Sequence, residues 1–301
     1  MKKIIALLTI LSFVFAGCED YDYGESDRLL SFTEFNSTVE GKAATRLHLE
    51  NGNQLAWDYY DGIGVYSDAQ GIEPYYLSDE NESAVFYGNK VTGSIFYAFS
   101  PYTENAIDKD NKKILHFRIY NSSSSDYVDN PIKTIMVAKS KDNNLSFKQT
   151  TGFIHISLTG TCDLVDYIYL NGNNAELLAG DGIVDISKDE PTLQIEQTDN
   201  ASHTLYQWLS QDTVRLEENK PYDFYFSVPV GTYEKGISIT IHALDPSTGE
   251  TMTLEKRTTD PVIIKRAVIK HFTAVDTDEI IKEEKDLLIQ EHSALLDLYN
   301  K

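Results

Sequence analysis

The chain has 301 residues, with 47 acidic against 26 basic side chains and a formal charge of -21. So acidic a balance keeps a protein soluble and repels nucleic acid and anionic lipid, which excludes a nucleic-acid-binding role. Only two cysteines are present, too few for a disulfide framework, while a hydrophobic fraction of 41% over this length is enough for the cores of two domains.

At the amino terminus Lys2 and Lys3 precede an apolar run from Ile4 to Phe15, the layout of a secretory signal. That run is shorter than the roughly 20 residues a membrane span requires. It closes on Phe15-Ala16-Gly17-Cys18, which resembles a lipobox except at Phe15, where leucine is usual. The resemblance implies a lipoprotein signal peptide over residues 1–17. The Cys18 thiol forms a thioether to diacylglycerol before cleavage, and the new amino group is then free for acylation. Each buried acyl CH₂ contributes about 0.8 kcal/mol and a single chain binds only marginally, so two or three chains, palmitate among them, make the anchor durable. An ordinary cleaved signal with a chance cysteine is the alternative. A lipidated Cys18 leaves Cys162 without a partner, as a quiet buried thiol. Residues 18–28 include Glu19-Asp20-Tyr21-Asp22-Tyr23 and are too acidic and too poor in apolar groups to order themselves, so they read as a tether.

From about Leu29 the chain reads as strand after strand. Leu115, Phe117 and Ile119 alternate with polar neighbours, as do Ile154, Ile156 and Leu158 around His155, and Ile237, Ile239, Ile241 and Ala243 around His242. Alternation of this kind buries one face and wets the other, the pattern of antiparallel sheets packed as a sandwich. Turn residues punctuate the runs at Asn51-Gly52, Asp61-Gly62, Asn171-Gly172, Asp181-Gly182 and Ser247-Thr248-Gly249. The predicted class is all-β, with a boundary near Gly160-Thr161 dividing a unit over 29–160 from a second over 161–276. Asn121 to Asp126 reads as a polar surface excursion within the first unit.

Beyond Asp276 the pattern changes. Ile280, Ile281, Leu287, Leu288, Leu295, Leu296 and Leu298 recur at near-helical spacing among Glu and Lys, predicting an amphipathic helix over 277–301 that Asp276-Thr277-Asp278 can cap. Glu291 to Asn300 resembles the helix that opens many bacterial leucine-rich-repeat surface regions; an amphipathic helix lying against the last sheet is the plainer reading.

Four stretches together resemble the fimbrillin family, the subunits and accessory proteins of protease-activated type V pili in anaerobic Gram-negative bacteria. Trp57 with Asp61-Gly62-Ile63-Gly64-Val65-Tyr66 is similar to the family's tryptophan, turn and strand block. Phe96-Tyr97-Ala98-Phe99-Ser100-Pro101-Tyr102 is similar to its aromatic strand. Ile135-Met136-Val137-Ala138, Leu145-Ser146-Phe147 and Gly152-Phe153-Ile154 resemble the strands that follow, and Lys42-Ala43-Ala44-Thr45-Arg46 resembles the segment ahead of the first domain. The resemblance covers much of residues 42–158 and implies two tandem transthyretin-like β-sandwich domains, export as a lipoprotein and a place on the cell surface. Trp57 and Phe96 are then core residues of the first domain. In polymerising members an arginine-specific protease removes the leading segment and opens a groove for a strand from the next subunit, with backbone hydrogen bonds supplying the affinity. Arg46 matches the cleaved arginine; a basic residue in an exposed linker is the other reading. Glu19 and Asp20 similarly suggest a surface-export signal, or else a plain solvated spacer. The C-terminal helix is a departure from the family pattern and points as much to an anchor, tip or stand-alone adhesin as to a stalk subunit.

Catalytic constellations are not evident: there is no Gly-x-Ser-x-Gly elbow, no phosphate loop and no zinc spacing among the seven histidines, each isolated in sequence. His155 and His242 fall on the wet faces of their predicted strands. Asp108-Lys109-Asp110-Asn111 begins like a calcium loop but lacks its turn glycine and closing glutamate. Asp212-Thr213-Val214 resembles a short O-glycosylation motif of envelope proteins. No catalytic residue, metal ligand or cofactor is therefore assigned. The expected function is a non-catalytic surface lipoprotein of the outer membrane, held by Cys18 and partnered by other pilus subunits through strand exchange or by a surface ligand. The alternative is a glycan-binding lipoprotein for polysaccharide uptake, with aromatic pairs such as Tyr59-Tyr60 and Tyr75-Tyr76 as its platforms; an envelope hydrolase ranks third.

Overall fold

In the computed structural model the described residues are 32–40, 48–50, 54–57, 61–77, 84–124, 134–161, 164–208, 216–218, 220–244 and 248–299. Cys18, Glu19, Asp20, Arg46, Cys162, Tyr59-Tyr60 and Asp212 to Val214 lie outside them.

The first half comprises β1 (Phe32–Val39), β2 (His48–Glu50), β3 (Gln54–Ala56), β4 (Gly62–Ser67), β5 (Glu73–Leu77), β6 (Val85–Asn89), β7 (Phe96–Ser100), β8 (Ile114–Ile119), β9 (Ser122–Ser124), β10 (Met136–Ser140) and β11 (Asn144–Gln149). Seven of these form a closed barrel in the order β1-β11-β10-β7-β4-β5-β6. Closure depends on β1, which runs antiparallel to β6 with Phe35 opposite Phe86, and parallel to β11 with Thr38 opposite Ser146. The sequence of β1 alternates accordingly: Phe35, Ser37 and Val39 are buried while Glu34, Asn36 and Thr38 are exposed. Inside, Trp57 meets Phe86 and Phe147 edge-on at 5.0 and 5.2 Å, and Phe35 meets Tyr75 and Phe96 at 5.3 Å each. Such edge-to-face pairs contribute about 0.5–1.5 kcal/mol beyond the area they bury.

The expected alternation fails in β7, where all five residues are buried. Phe96 and Ala98 face the barrel interior, while Tyr97 and Phe99 join Leu115, Phe117, Val184 and Leu193 in a separate core outside it. A strand covered on both faces reads as a continuous apolar run. Two of the four stretches behind the fimbrillin resemblance are neighbours here: β4 pairs with β7, placing Gly64 opposite Phe99. A Cβ at Gly64 would collide with Phe99 Cζ, so glycine makes room for the tip of the aromatic side chain lying over it.

The second half comprises β12 (Gly152–Thr159), β13 (Leu164–Gly172), β14 (Gly180–Asp185), β15 (Leu193–Ile195), β16 (Thr204–Trp208), β17 (Tyr222–Val228), β18 (Gly231–Tyr233), β19 (Ile237–Leu244), β20 (Thr251–Arg257), β21 (Val262–Ile264), β22 (Ile269–His271), β23 (Val275–Asp276) and α1 (Thr277–Tyr299). A sheet ordered β17-β12-β22, with β23 also on β12, and a sheet ordered β20-β19-β13-β16-β9 enclose one core. Ile154, Ile156, Leu158, Phe224 and Phe226 enter it from the first sheet; Val165, Ile168, Leu170, Ile239 and Ile241 enter from the second. Besides the three pairings of β12, two more span residue 160. β14 adds to β8, and β9 adds parallel to β16.

That second pairing corrects the expected excursion over Asn121 to Ser124; Ser125 and Asp126 lie outside the described residues. Ser122–Ser124 is an edge strand, and the Asn121 carbonyl accepts from Tyr206 N at 2.8 Å. A run of small hydroxyl side chains has loop composition, yet here the backbone supplies the strand bonds. Three turn assignments also shift. Gly62 opens β4, Asn171-Gly172 ends β13 and Asp181-Gly182 sits within β14. The Leu244 to Thr251 hairpin stands, with Gly249 at φ 73°.

The helix begins as its cap residues predict. Asp276 Oδ1 accepts from Asp278 N at 3.0 Å and Glu279 N at 3.4 Å, meeting first-turn donors that have no helical partner. Thr277 Oγ1 donates to Thr159 O at 3.0 Å, and Asp278 Oδ1 accepts from Thr161 N at 3.1 Å, tying the helix start to the end of β12. Ile280 and Ile281 join the second core, whereas Leu287 and Ile289 are exposed. No described helix is long and apolar enough to cross a membrane.

Candidate functional site

Two places bear on function: the strand ahead of Arg46 and an aromatic sheet face. Arg46 lies in the stretch between β1 and β2. β1 is held at its far end by more than its ladder. Glu40 Oε1 accepts from Gln149 N at 2.7 Å and is paired with Arg266, whose Nη1 also donates to Gln149 O at 3.1 Å. The Arg266 guanidinium is nearly buried and reaches Glu190 through Nε at 2.7 Å. One side chain thus joins the end of β1, β11, the β14–β15 connection and the segment before β22. A buried guanidinium persists only where its donors are matched in this way.

The second place is the outward face of the β20-β19-β13-β16-β9 sheet. Period two sends Leu205 and Gln207 inward and Tyr206 and Trp208 outward. On β13 a bulge between Val165 and Tyr167 turns both Asp166 and Tyr167 toward that same face, with Tyr169 two residues on. Tyr167 lies opposite Trp208, their rings near-parallel at 6.2 Å; Tyr169 is 6.0 Å from Tyr167 and 5.7 Å from Tyr206. His242 meets Tyr167 edge-on at 5.9 Å, and its Nδ1 stands 3.4 Å from Asp166 Oδ2 without a hydrogen bond. Trp208 is 49% exposed and the three tyrosines are half-buried. The result is a continuous aromatic row with a carboxylate and an imidazole at its margin. Rings of this kind present apolar area at low conformational cost together with polar edges.

The sequence-based sites fare unevenly. Cys18, Glu19, Asp20 and Arg46 fall outside the described residues. Of the expected platform at Tyr75-Tyr76, Tyr75 is fully buried and donates its hydroxyl to Asn89 O, leaving only Tyr76 exposed; alternation within β5 separates the two. Asp108 is a turn residue, accepting from Asp110 N and Asn111 N at 2.9 and 2.8 Å and contacting His116 Nε2 at 2.9 Å. Those bonds, the His116 contact first, hold its carboxyl below the usual range. The aromatic row escaped sequence reading because Tyr167, Tyr206 and His242 meet only through strand register. The aromatic-x-aromatic spacings at Tyr167 and Tyr169 and at Tyr206 and Trp208 are its local traces.

No protein-family profile and no curated protein matches the sequence. Among solved structures, the fold is similar to that of a proposed cell adhesion protein from Bacteroides ovatus, at 11% identity and TM-score 0.50, over 81% of this chain and 91% of that one. A second proposed cell adhesion protein, from Bacteroides thetaiotaomicron, aligns at 13% identity and TM-score 0.40 over 81% and 92%. The tip fimbrial protein Mfa3 from Porphyromonas gingivalis aligns at 9% and 0.37 over 80% and 94%. At these identities the first likeness concerns the fold and the other two are too loose to argue from. The first of these neighbours bears the description of a proposed cell adhesion protein, and its likeness to this chain is one of fold.

Proposed function

We propose that the chain is a surface-exposed outer-membrane lipoprotein of the fimbrillin type, acting in cell adhesion or pilus assembly as subunit, anchor or tip, without catalytic activity. The observation that carries this reading is the placement of β1. The strand immediately ahead of Arg46 is an integral barrel strand, paired on both edges. Cleavage after Arg46 would release the covalent hold on that strand. Its departure would bare the edges of β6 and β11 and the places of Phe35 and Val39, a groove suited to a strand from another subunit. Two tandem transthyretin-like units over 29–160 and 161–276 belong to the same reading; separate buried clusters over 35–147 and 154–281 support two units, although β12 packs with the second and a third cluster joins residues of both. Before any cleavage at Arg46, attachment runs through Cys18, with Glu19 and Asp20 directing export.

Lipidation and placement are tested together by labelling cells with radioactive palmitate and treating them with an impermeant protease. Label and protease sensitivity in the wild type, both lost in Cys18→Ala, are expected. Label retained in Cys18→Ala would refute the anchor.

The aromatic row favours a second reading, a glycan-binding lipoprotein serving polysaccharide uptake. Stacking on Trp208 and Tyr167 would hold neutral sugar rings, since the acidic surface disfavours anionic ones. Affinity electrophoresis through neutral polysaccharide gels separates the readings: retardation abolished by Trp208→Ala supports uptake, and free migration of the wild type eliminates it.

A further inference from the structure

The seven histidines are isolated in sequence, but the parallel pairing of β22 with β12 places His271 directly beside His155. Their Nδ1 atoms are 2.9 Å apart and the ring centroids 4.9 Å, with the planes at 70°. His155 Nε2 contacts Asp223 Oδ1 at 2.9 Å, and its ring stacks on Tyr225 at 4.6 Å. The backbone holding the pair is fixed on both sides, since Phe153 N donates to Val268 O at 3.0 Å and Phe272 N to His155 O at 3.1 Å. From this geometry we infer that His155 and His271 form a binding site for a divalent transition-metal ion, with copper(II) the preferred occupant.

The hydrogen-bond network assigns the tautomers. Nε2–H of His155 donates to Asp223, so its Nδ1 carries a lone pair and accepts Nδ1–H of His271. A single proton therefore occupies the space between two ring nitrogens. A metal ion takes its place if the His271 proton moves to Nε2 through solvent, leaving both Nδ1 lone pairs free and releasing no net proton. Asp223 is then the carboxylate behind a metal-bound histidine, the arrangement that fixes ring orientation and raises ligand basicity. Tyr225 supports the same ring from its face.

The spacing selects the metal. Metal–nitrogen bonds of about 2.0–2.1 Å with nitrogens at this separation enclose an angle of about 90°, the cis angle of tetragonal copper(II) or nickel(II). Tetrahedral zinc would require the nitrogens to open to about 3.3 Å. Of these ions copper(II) binds nitrogen sites most tightly. The exposed His271 ring supplies the movement needed to aim its lone pair at the metal, since χ2 of histidine is broad, while Asp223 and Tyr225 keep His155 in place. Among the described residues no group of three or more histidine, cysteine or carboxylate ligands is arranged to hold a metal, so solvent would complete the coordination. The strongly negative chain attracts cations to the site. Binding would also clip β22, four residues ahead of β23 and the helix, to the middle strand of its sheet.

The test uses the full chain in detergent with copper(II) chloride as the probe, read by equilibrium dialysis and electron paramagnetic resonance. One equivalent with an axial signal split by two imidazole nitrogens is expected. His271→Gln and Asp223→Asn should weaken binding by about 10- to 100-fold each, and copper should raise the melting temperature of the wild type but not of His271→Gln. Absence of a bound equivalent, a signal from a single nitrogen, or undiminished affinity in His271→Gln would overturn the assignment. Unchanged far-ultraviolet circular dichroism in both variants ensures that lost binding reports ligation.

Discussion

Phe35→Ala tests whether β1 is a structural strand of the barrel. Phe35 is fully buried between Tyr75 and Phe96, each 5.3 Å away and edge-on, on a strand flanked by β6 and β11. An aromatic side chain of this size removes about 150–250 Å² from water, which at about 25 cal/mol per Å² corresponds to roughly 4–6 kcal/mol before correction for a compact unfolded state. Alanine keeps part of that and leaves a cavity that its rigid neighbours cannot fill, so a loss of about 3–5 kcal/mol is expected. Urea unfolding followed by tryptophan fluorescence measures it, with Trp57 in the same core as reporter. Glu34→Ala, exposed on the same strand, should change stability by less than about 0.5 kcal/mol. A loss below about 1 kcal/mol for Phe35→Ala would refute the closed barrel and, with it, the idea that removal of β1 opens a groove.

Further outcomes follow from other contacts. Gly64→Ala should cost about 1–3 kcal/mol by forcing the Phe99 ring off its strand partner, measured by the same unfolding curves. Arg266→Ala strands the Glu40 carboxylate beside Gln149 and should cost about 3 kcal/mol, low in the range for breaking a buried pair because Glu190 is largely solvated; differential scanning calorimetry would register it. Burial pushes the Tyr75 hydroxyl up to about 12 and holds Tyr66 and Tyr233 well above the ordinary tyrosine range. Folding thus favours their neutral forms, a contribution intact below about pH 10 and lost as pH climbs toward 12. Titration at 295 nm should show these three of the 19 tyrosines ionising last, in step with unfolding.

Much of the strand content is legible because one-sided burial writes itself as alternation, as in Leu115 and Phe117 of β8 or Ile239, Ile241 and Ala243 of β19. Legibility failed where that rule was broken. β7 is buried on both faces, β9 is an edge strand made of serine, and Asp181-Gly182 sits inside a strand despite its turn composition. The candidate sites were less legible still. Tyr75-Tyr76 looked like a platform, yet successive strand residues face opposite ways. Tyr167 meets Trp208, and His155 meets His271, only through pairings made after long intervening segments, 116 residues in the histidine case. Local spacing carries no record of such register.

The central claim, a pilus or adhesion protein activated ahead of its barrel, is tested most directly by digesting the purified protein with an arginine-specific protease. Intact mass and electron microscopy would then follow cleavage and assembly. Clean cleavage after Arg46, followed by loss of the β1 segment and the appearance of filaments or ladders, is the predicted result. A protein that loses β1 yet stays monomeric is an anchor, tip or adhesin, whereas one cut at Arg46 that keeps β1 bound, or one that is never cut there, would contradict it.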